Sequence, residues 1–157
     1  MQLVLWRHAE AEDQASSDLA RDLTAHGRDQ AARMAHWFDT QINGQWGDWM
    51  ILASPANRAR QTAAALGRPL RIIEALAPDA SVDAVLVAAG WPRGRDGLPN
   101  VLIVGHQPTL GMVAARLLNR EGGYVGVKKG AMWWFDTRES EGRLQSEFKA
   151  MVTPESI

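Results

Sequence analysis

The sequence predicts an α/β fold, a three-layer sandwich in which a mostly parallel central sheet is flanked by helices. Three observations carry that expectation. Leu3-Val4-Leu5-Trp6, Met50-Ile51-Leu52-Ala53 and Val101-Leu102-Ile103-Val104 are short, continuous apolar runs, the pattern of strands buried on both faces. Between them, apolar residues recur at three- and four-residue spacing, the pattern of helices with one buried stripe. Turn-forming residues separate the two kinds of segment, so strands and helices alternate along the chain.

The elements follow in order. Leu3–Trp6 is the first strand, and the mixed, polar residues 9–23 form a loop. A helix begins at Thr24; Ala31, Met34, Ala35, Phe38 and Ile42 line its inward face, and Asn43-Gly44 ends it. Met50–Ala53 is the second strand. Ser54-Pro55 then reads as a helix start, with Ser as N-cap and Pro at the first helical position. Ala59, Thr62, Ala63 and Leu66 face inward, and Gly67 ends that helix. Leu70–Ile73 is a third strand, and a weaker helix covers Val82–Ala89. Gly90–Asn100, rich in Gly and Pro, is a loop before the strongest strand, Val101–Val104. Gly105-His106-Gln107-Pro108 turns into a helix marked by Leu110, Val113, Ala114 and Leu117. Ala131–Phe135 and Leu144–Val152 are late strands, the second with imperfect alternation.

At 157 residues with no internal repeat, the chain reads as one domain, 1–157. Seventeen Lys and Arg against eighteen Asp and Glu leave a net charge of −1. That balance argues against a nucleic-acid partner, so an anion site must come from local concentration of Arg. There is no cysteine, which excludes disulfides, thiolate metal sites and Cys nucleophiles. No apolar run approaches the roughly 20 residues of a membrane span, and Arg7 and His8 come too early for a secretion signal. The expectation is a cytoplasmic protein with no membrane partner.

Polar residues cluster where the strands end. The first strand runs into Arg7-His8, the second into Ser54-Pro55 with Arg58 one turn later, and the fourth into His106. Ligands of parallel sheets bind outside the carboxyl ends of the strands. Two His and two Arg therefore converge on that edge, beside helix N-termini that favour an anion. Guanidinium groups match phosphate oxygens through paired hydrogen bonds, so the cluster reads as a phosphate pocket that also holds imidazole.

These residues carry a resemblance. Leu3-Val4-Leu5-Trp6-Arg7-His8-Ala9 resembles the strand and Arg-His-Gly signature of the histidine phosphatase superfamily. Ser54-Pro55-Ala56-Asn57-Arg58-Ala59-Arg60-Gln61-Thr62 is similar to its Ser-Pro-x-x-Arg-Ala-x-Gln-Thr helix opening, and Val104-Gly105-His106 to its second histidine. The short length and Arg21-Asp22-Leu23-Thr24-Ala25-His26-Gly27 resemble its small SixA-type phosphohistidine phosphatases. Two departures stand out: Ala9 replaces the usual Gly, and Leu76-Ala77-Pro78 lacks the acid that larger members carry there. No Asp follows His106 either, and Glu74 reads as a solvated loop carboxylate.

The resemblance implies two-step phosphoryl transfer with neutral His8 as nucleophile and a phosphohistidine enzyme intermediate. Arg7 and Arg58, with Arg21 as a third clamp, would bind phosphoryl oxygens, and His106 would donate to an oxygen or act on the water. The Arg and His cluster supplies the positive charge, so no metal or other cofactor is expected, and neighbouring Arg would repel a cation. Without a general acid the site suits the N–P bond of phosphohistidine, whose imidazole leaving group protonates easily, better than alkyl esters. A phosphohistidine on a protein is thus the expected substrate, in signal transduction. The alternatives are a broad phosphatase of small phosphate esters and a phosphate-binding module without turnover; the absent acid and insertions disfavour a phosphoglycerate mutase.

Other residues read as structural. Trp6, Trp37, Trp133 and Trp134 belong to packing, whereas Trp46, Trp49 and Trp91 lie near loops where an exposed face is open to them. Glu10 and Glu12 lie on a solvated loop and His26 and His36 on a helix surface. Lys128-Lys129 lacks the Gly spacing of a phosphate loop.

Overall fold

Alternation along three apolar runs builds the centre of the molecule. The computed structural model describes residues 1–120 and 122–157. In β1 (Gln2–Arg7), Leu3 and Leu5 face one side of the sheet and Val4 and Trp6 the other, all fully buried. β2 (Trp49–Ala53) and β4 (Asn100–Gly105) divide in the same way, with Met50, Leu52, Val101 and Ile103 on the first side. Trp49, Ile51, Ala53, Leu102 and Val104 lie on the second. Each fully buried aliphatic side chain stabilises the fold by roughly 1.5–3 kcal/mol, so the strands that end at the candidate site are the most firmly held.

Helices cover both faces. α1 (Ala25–Gln41) and α2 (Asn57–Ala64) bring Met34, Phe38, Ala59 and Ala63 against the Trp6 side. α3 (Val82–Ala89) and α4 (Thr109–Leu117) bring Val85, Ala89, Leu110, Val113 and Leu117 against the Leu3 side. Capping agrees with the sequence at α1, where the Thr24 hydroxyl accepts from the Gly27 amide at 2.9 Å. Asn43 and Gly44 then leave the helix with positive φ, as its end requires.

The sheet order is β3-β2-β4-β1-β5-β6, where β3 is the two-residue strand Arg71–Ile72. β3, β2, β4 and β1 are parallel, whereas β5 (Met132–Ser140) and β6 (Arg143–Val152) pair antiparallel. The sheet is therefore mixed. Its antiparallel end follows from a two-residue hairpin, Glu141-Gly142, with φ of 52° and 76°. The broken alternation of the last strand also has a cause. Phe135 pairs with Phe148 but Trp134 pairs with Ala150, so Lys149 is the extra residue of a β-bulge. Phe148 consequently packs on Phe135 while Ala150 and Val152 join the opposite core.

Two further expectations change. α2 starts at Asn57 with Ala56 as its cap, so Ser54 does not cap it. Trp46 and Trp49 are buried around Phe38, with ring centroids 5.6 and 5.1 Å from it, and form no exposed face.

Candidate active site

β1, β4 and β2 are adjacent lanes, and β2 finishes one residue short of the other two. Arg7 pairs with Gly105, and Ala53 with Val104. The next residues, His8, His106 and Ser54, therefore leave the sheet side by side. The His8 amide donates to the Gly105 carbonyl and the Ser54 amide to the Val104 carbonyl, both at 3.1 Å. The two imidazoles lie with centroids 5.2 Å apart, and each is no more than 7% exposed.

The ring of His8 is oriented by its own turn. Nδ1 lies 2.8 Å from the Ala9 carbonyl, which can only accept, so in the neutral ring Nδ1 carries the proton and Nε2 the lone pair. The turn is tied to α2, because the Ala9 amide donates to Thr62 Oγ1 at 3.0 Å and that hydroxyl donates to the Arg58 carbonyl. Ala9 is not among the residues with positive φ, so its methyl group imposes no backbone strain. Gly27 belongs to the same joint. A Cβ there would lie 1.9 Å from the Glu10 carbonyl oxygen, so only glycine lets α1 approach the chain leaving β1.

Burial, chiefly, pushes the His8 pKa from 6.5 down to about 4, and the charges of Arg58, Arg7 and Arg21 push the same way against the Ala9 hydrogen bond. His106 falls to about 3, again mainly through burial, with His8 and Arg58 adding to it. Both rings are thus neutral at neutral pH. Ser54 Oγ accepts from the Ala56 amide and lies 2.7 Å from His106 Nε2. Where the Ser54 hydroxyl donates to Nε2, the His106 ring carries its N–H on Nδ1.

The arginines are held by their ends. Arg7 Nη1 donates to the Val127 carbonyl at 2.8 Å. Arg58, only 4% exposed, donates through Nη1 to the Asp18 carbonyl and through Nη2 to Asp18 Oδ2, at 2.8 and 3.1 Å. Three buried nitrogens have no partner among the described residues: Arg7 Nε, Arg58 Nε and His106 Nδ1. The two arginine nitrogens are donors, and His106 Nδ1 is one in the tautomer whose Nε2 accepts from Ser54; all three lie on residues singled out by the sequence. Buried donors normally find acceptors, and an oxyanion meets several at once.

Arg21 stands at the rim. Its Nε donates to Asp18 Oδ1 and its Nη1 to the Glu12 carbonyl, both at 3.1 Å. Its charge also contributes to lowering the His8 pKa. All five nominated residues, Arg7, His8, Arg21, Arg58 and His106, thus belong to one constellation. Glu74 is exposed in a 3₁₀ turn beyond β3, and Glu10 accepts from the Thr24 hydroxyl at 3.0 Å. Two members of the site are absent from the sequence reading: Asp18, and Ser54 as the partner of His106. The three-residue spacing of Asp18 and Arg21 is the one local signal for Asp18.

The comparisons with known proteins point one way. The Histidine phosphatase superfamily (branch 1) pattern matches residues 3–79, which include Arg7, His8, Arg21 and Arg58. The chain is 33% identical over 125 residues to phosphohistidine phosphatase SixA of Escherichia coli (strain K12), covering 74% of each protein. It is 30% identical over 130 residues to the phosphohistidine phosphatase SixA homolog of Haemophilus influenzae, covering 76% of this chain and 79% of that one. The structure of the protein histidine phosphatase SixA complexed with tungstate superposes with a TM-score of 0.79 at 26% identity, covering 98% of this chain and 97% of that one.

Proposed function

The chain belongs to the histidine phosphatase superfamily, and on that premise we propose that it is a phosphohistidine phosphatase acting through a covalent intermediate on His8. The observation that carries the reading is a neutral His8 with its Nε2 lone pair available, beside three buried nitrogens of Arg7, Arg58 and His106 that lack partners among the described residues.

The reaction takes two steps. Nε2 of His8 attacks phosphorus in line; the new N–P bond forms as the bond to the substrate imidazole breaks, and that imidazole gains a proton from solvent. Water then attacks the phosphohistidine enzyme, the bond from Nε2 to phosphorus breaks, and inorganic phosphate leaves. Arg7 and Arg58, with Arg21 at the rim, bind phosphoryl oxygens, and His106 donates from Nδ1. Charge spreads over those oxygens in the transition state, so fixed donors stabilise it without rearrangement.

The choice of substrate follows from what can give a proton. Asp18 is the carboxylate bonded to Arg58 and Arg21 of the cluster. Burial opposes its ionisation, but the Arg58 hydrogen bond and the charges of Arg58 and Arg21 outweigh that and lower its pKa. A carboxyl group held in its ionised form is a poor proton donor, which favours a leaving group that needs little help. We therefore assign a phosphorylated histidine on a protein as substrate, with residues 1–157 acting as one domain in cytoplasmic signal transduction. No helix among the described residues is long and apolar enough to cross a membrane.

The test compares a phosphohistidine protein and phosphoramidate with an aryl and an alkyl phosphate, for wild type and His8→Ala. Phosphate release from the N–P substrates should exceed that from the alkyl ester and should vanish in His8→Ala. Faster turnover of the alkyl ester would refute the substrate assignment. No release from any substrate would favour a binding module.

A further inference from the structure

We infer that Asp18 is the positioning residue of the phosphate clamp: it holds the end of the Arg58 guanidinium and fixes Arg21 beside it, leaving the Nε side of Arg58 for a phosphoryl oxygen. The inference deepens the proposed phosphatase reading and rests on it for the identity of the anion.

The geometry is asymmetric in a telling way. Both end nitrogens of Arg58 are spent on one residue, Nη1 on the Asp18 carbonyl and Nη2 on its carboxylate, whereas Nε is buried and has no partner among the described residues. A guanidinium presents an end fork and a side fork, and a bidentate contact at one leaves the other free. The other carboxylate oxygen, Oδ1, lies 3.1 Å from both Nε and Nη2 of Arg21. One carboxylate thus couples a buried arginine to a rim arginine.

The turn that carries Asp18 is itself fastened to α2. Asp18–Ala20 is a single 3₁₀ turn, and Asn57 Nδ2 donates to the Ala20 carbonyl at 3.4 Å and to Asp22 Oδ1 at 3.2 Å. Gln61 Nε2 also reaches Asp22 Oδ1 at 2.8 Å, and Gln61 Oε1 accepts from the Leu23 amide. The helix that carries Arg58 therefore also fixes the loop that orients it.

A solvent-exposed ion pair would ordinarily contribute little. Here one partner is exposed but the other is almost wholly buried: the Asp18 side chain is 56% exposed and that of Arg58 is 4% exposed. Removing the carboxylate takes a partner from a guanidinium that water hardly reaches, and the effect falls on its orientation. A carboxylate that merely offset positive charge would do the reverse, since its loss would tighten anion binding.

The experiment measures Kd for inorganic phosphate and for tungstate by calorimetry, together with kcat and KM on phosphoramidate, for wild type, Asp18→Ala, Asp18→Asn, Arg58→Ala and the double variant Asp18→Ala/Arg58→Ala. Asp18→Ala should weaken tungstate and lower kcat/KM by about ten- to a hundred-fold, the scale of a charge-assisted hydrogen bond. Asp18→Asn, which keeps an acceptor oxygen, should lie between. The double variant should be no worse than Arg58→Ala, because both changes act through one group. Thermal midpoints check that the variants fold, and the Asn variant serves if the Ala variant does not. Unchanged or tighter tungstate binding with undiminished kcat in both Asp18 variants would overturn the inference, as would additive losses in the double variant. Failure of wild type to hydrolyse any N–P substrate would count against the functional reading, while the tungstate arm would still decide the role of Asp18.

Discussion

Protonating His8 is the simplest way to disable the proposed site, and the structure says where on the pH scale that happens. An imidazole with its ordinary pKa of about 6.5 is only about 5% neutral at pH 5.25. His8, with a pKa near 4, is about 95% neutral there. The difference amounts to roughly eighteen-fold in available nucleophile, and its sign follows from burial first and the neighbouring guanidinium charges second. The assay is an NMR titration of the His8 ring in the free protein, assigned by the loss of its signal in His8→Ala, with kcat/KM for an aryl phosphate measured in parallel. The midpoint should fall near 4. Stability should respond as well, because the unfolded chain binds a proton that folded His8 refuses. Stability is therefore lost as pH falls from about 6.5 toward 4, by on the order of 3 kcal/mol for a shift of this size. A His8 midpoint at 6.5 would refute the reasoning, since the ring would then be neither dry nor near fixed cations.

Three further outcomes are expected. Gly27→Ala should destabilise by about 2–4 kcal/mol in urea unfolding, because the new Cβ would meet the Glu10 carbonyl at 1.9 Å; wild-type stability would mean that α1 can shift. Ser54→Ala should lower kcat by about ten-fold and cost about 1–3 kcal/mol of stability, because it leaves His106 Nε2 buried without its 2.7 Å partner. Thr62→Val should reduce activity more than stability, as it releases the Ala9 amide that fixes the turn after His8; circular dichroism and kcat/KM separate the two effects.

What was legible in the sequence was whatever depended on periodicity and strand ends. β1, β2 and β4 are continuous apolar runs because both of their faces are buried, and helix α3 runs over the residues its pattern predicts. His8, His106, Arg7 and Arg58 could be placed because a parallel sheet delivers its strand ends to one edge. The features that escaped depend on partners distant in sequence. Ser54 had a local reading as an N-cap, but a histidine 52 positions away takes its hydroxyl instead. The antiparallel hairpin was hidden because Asp136–Glu139 is polar and Glu141-Gly142 is a weaker turn signal than Asn-Gly or Asp-Gly. Asp18 looked like any loop carboxylate, since nothing local reveals that Arg58, forty residues on, is buried against it.

The most direct test of His8 as the phosphoryl acceptor is to catch the group there. The protein is mixed with a radiolabelled phosphohistidine protein, quenched within milliseconds in alkali, where phosphohistidine survives, and digested for peptide mapping. The label should appear on the peptide bearing His8, decay with the release of inorganic phosphate, and be absent from His8→Ala. Turnover with no label on His8, or undiminished turnover in His8→Ala, would contradict the account.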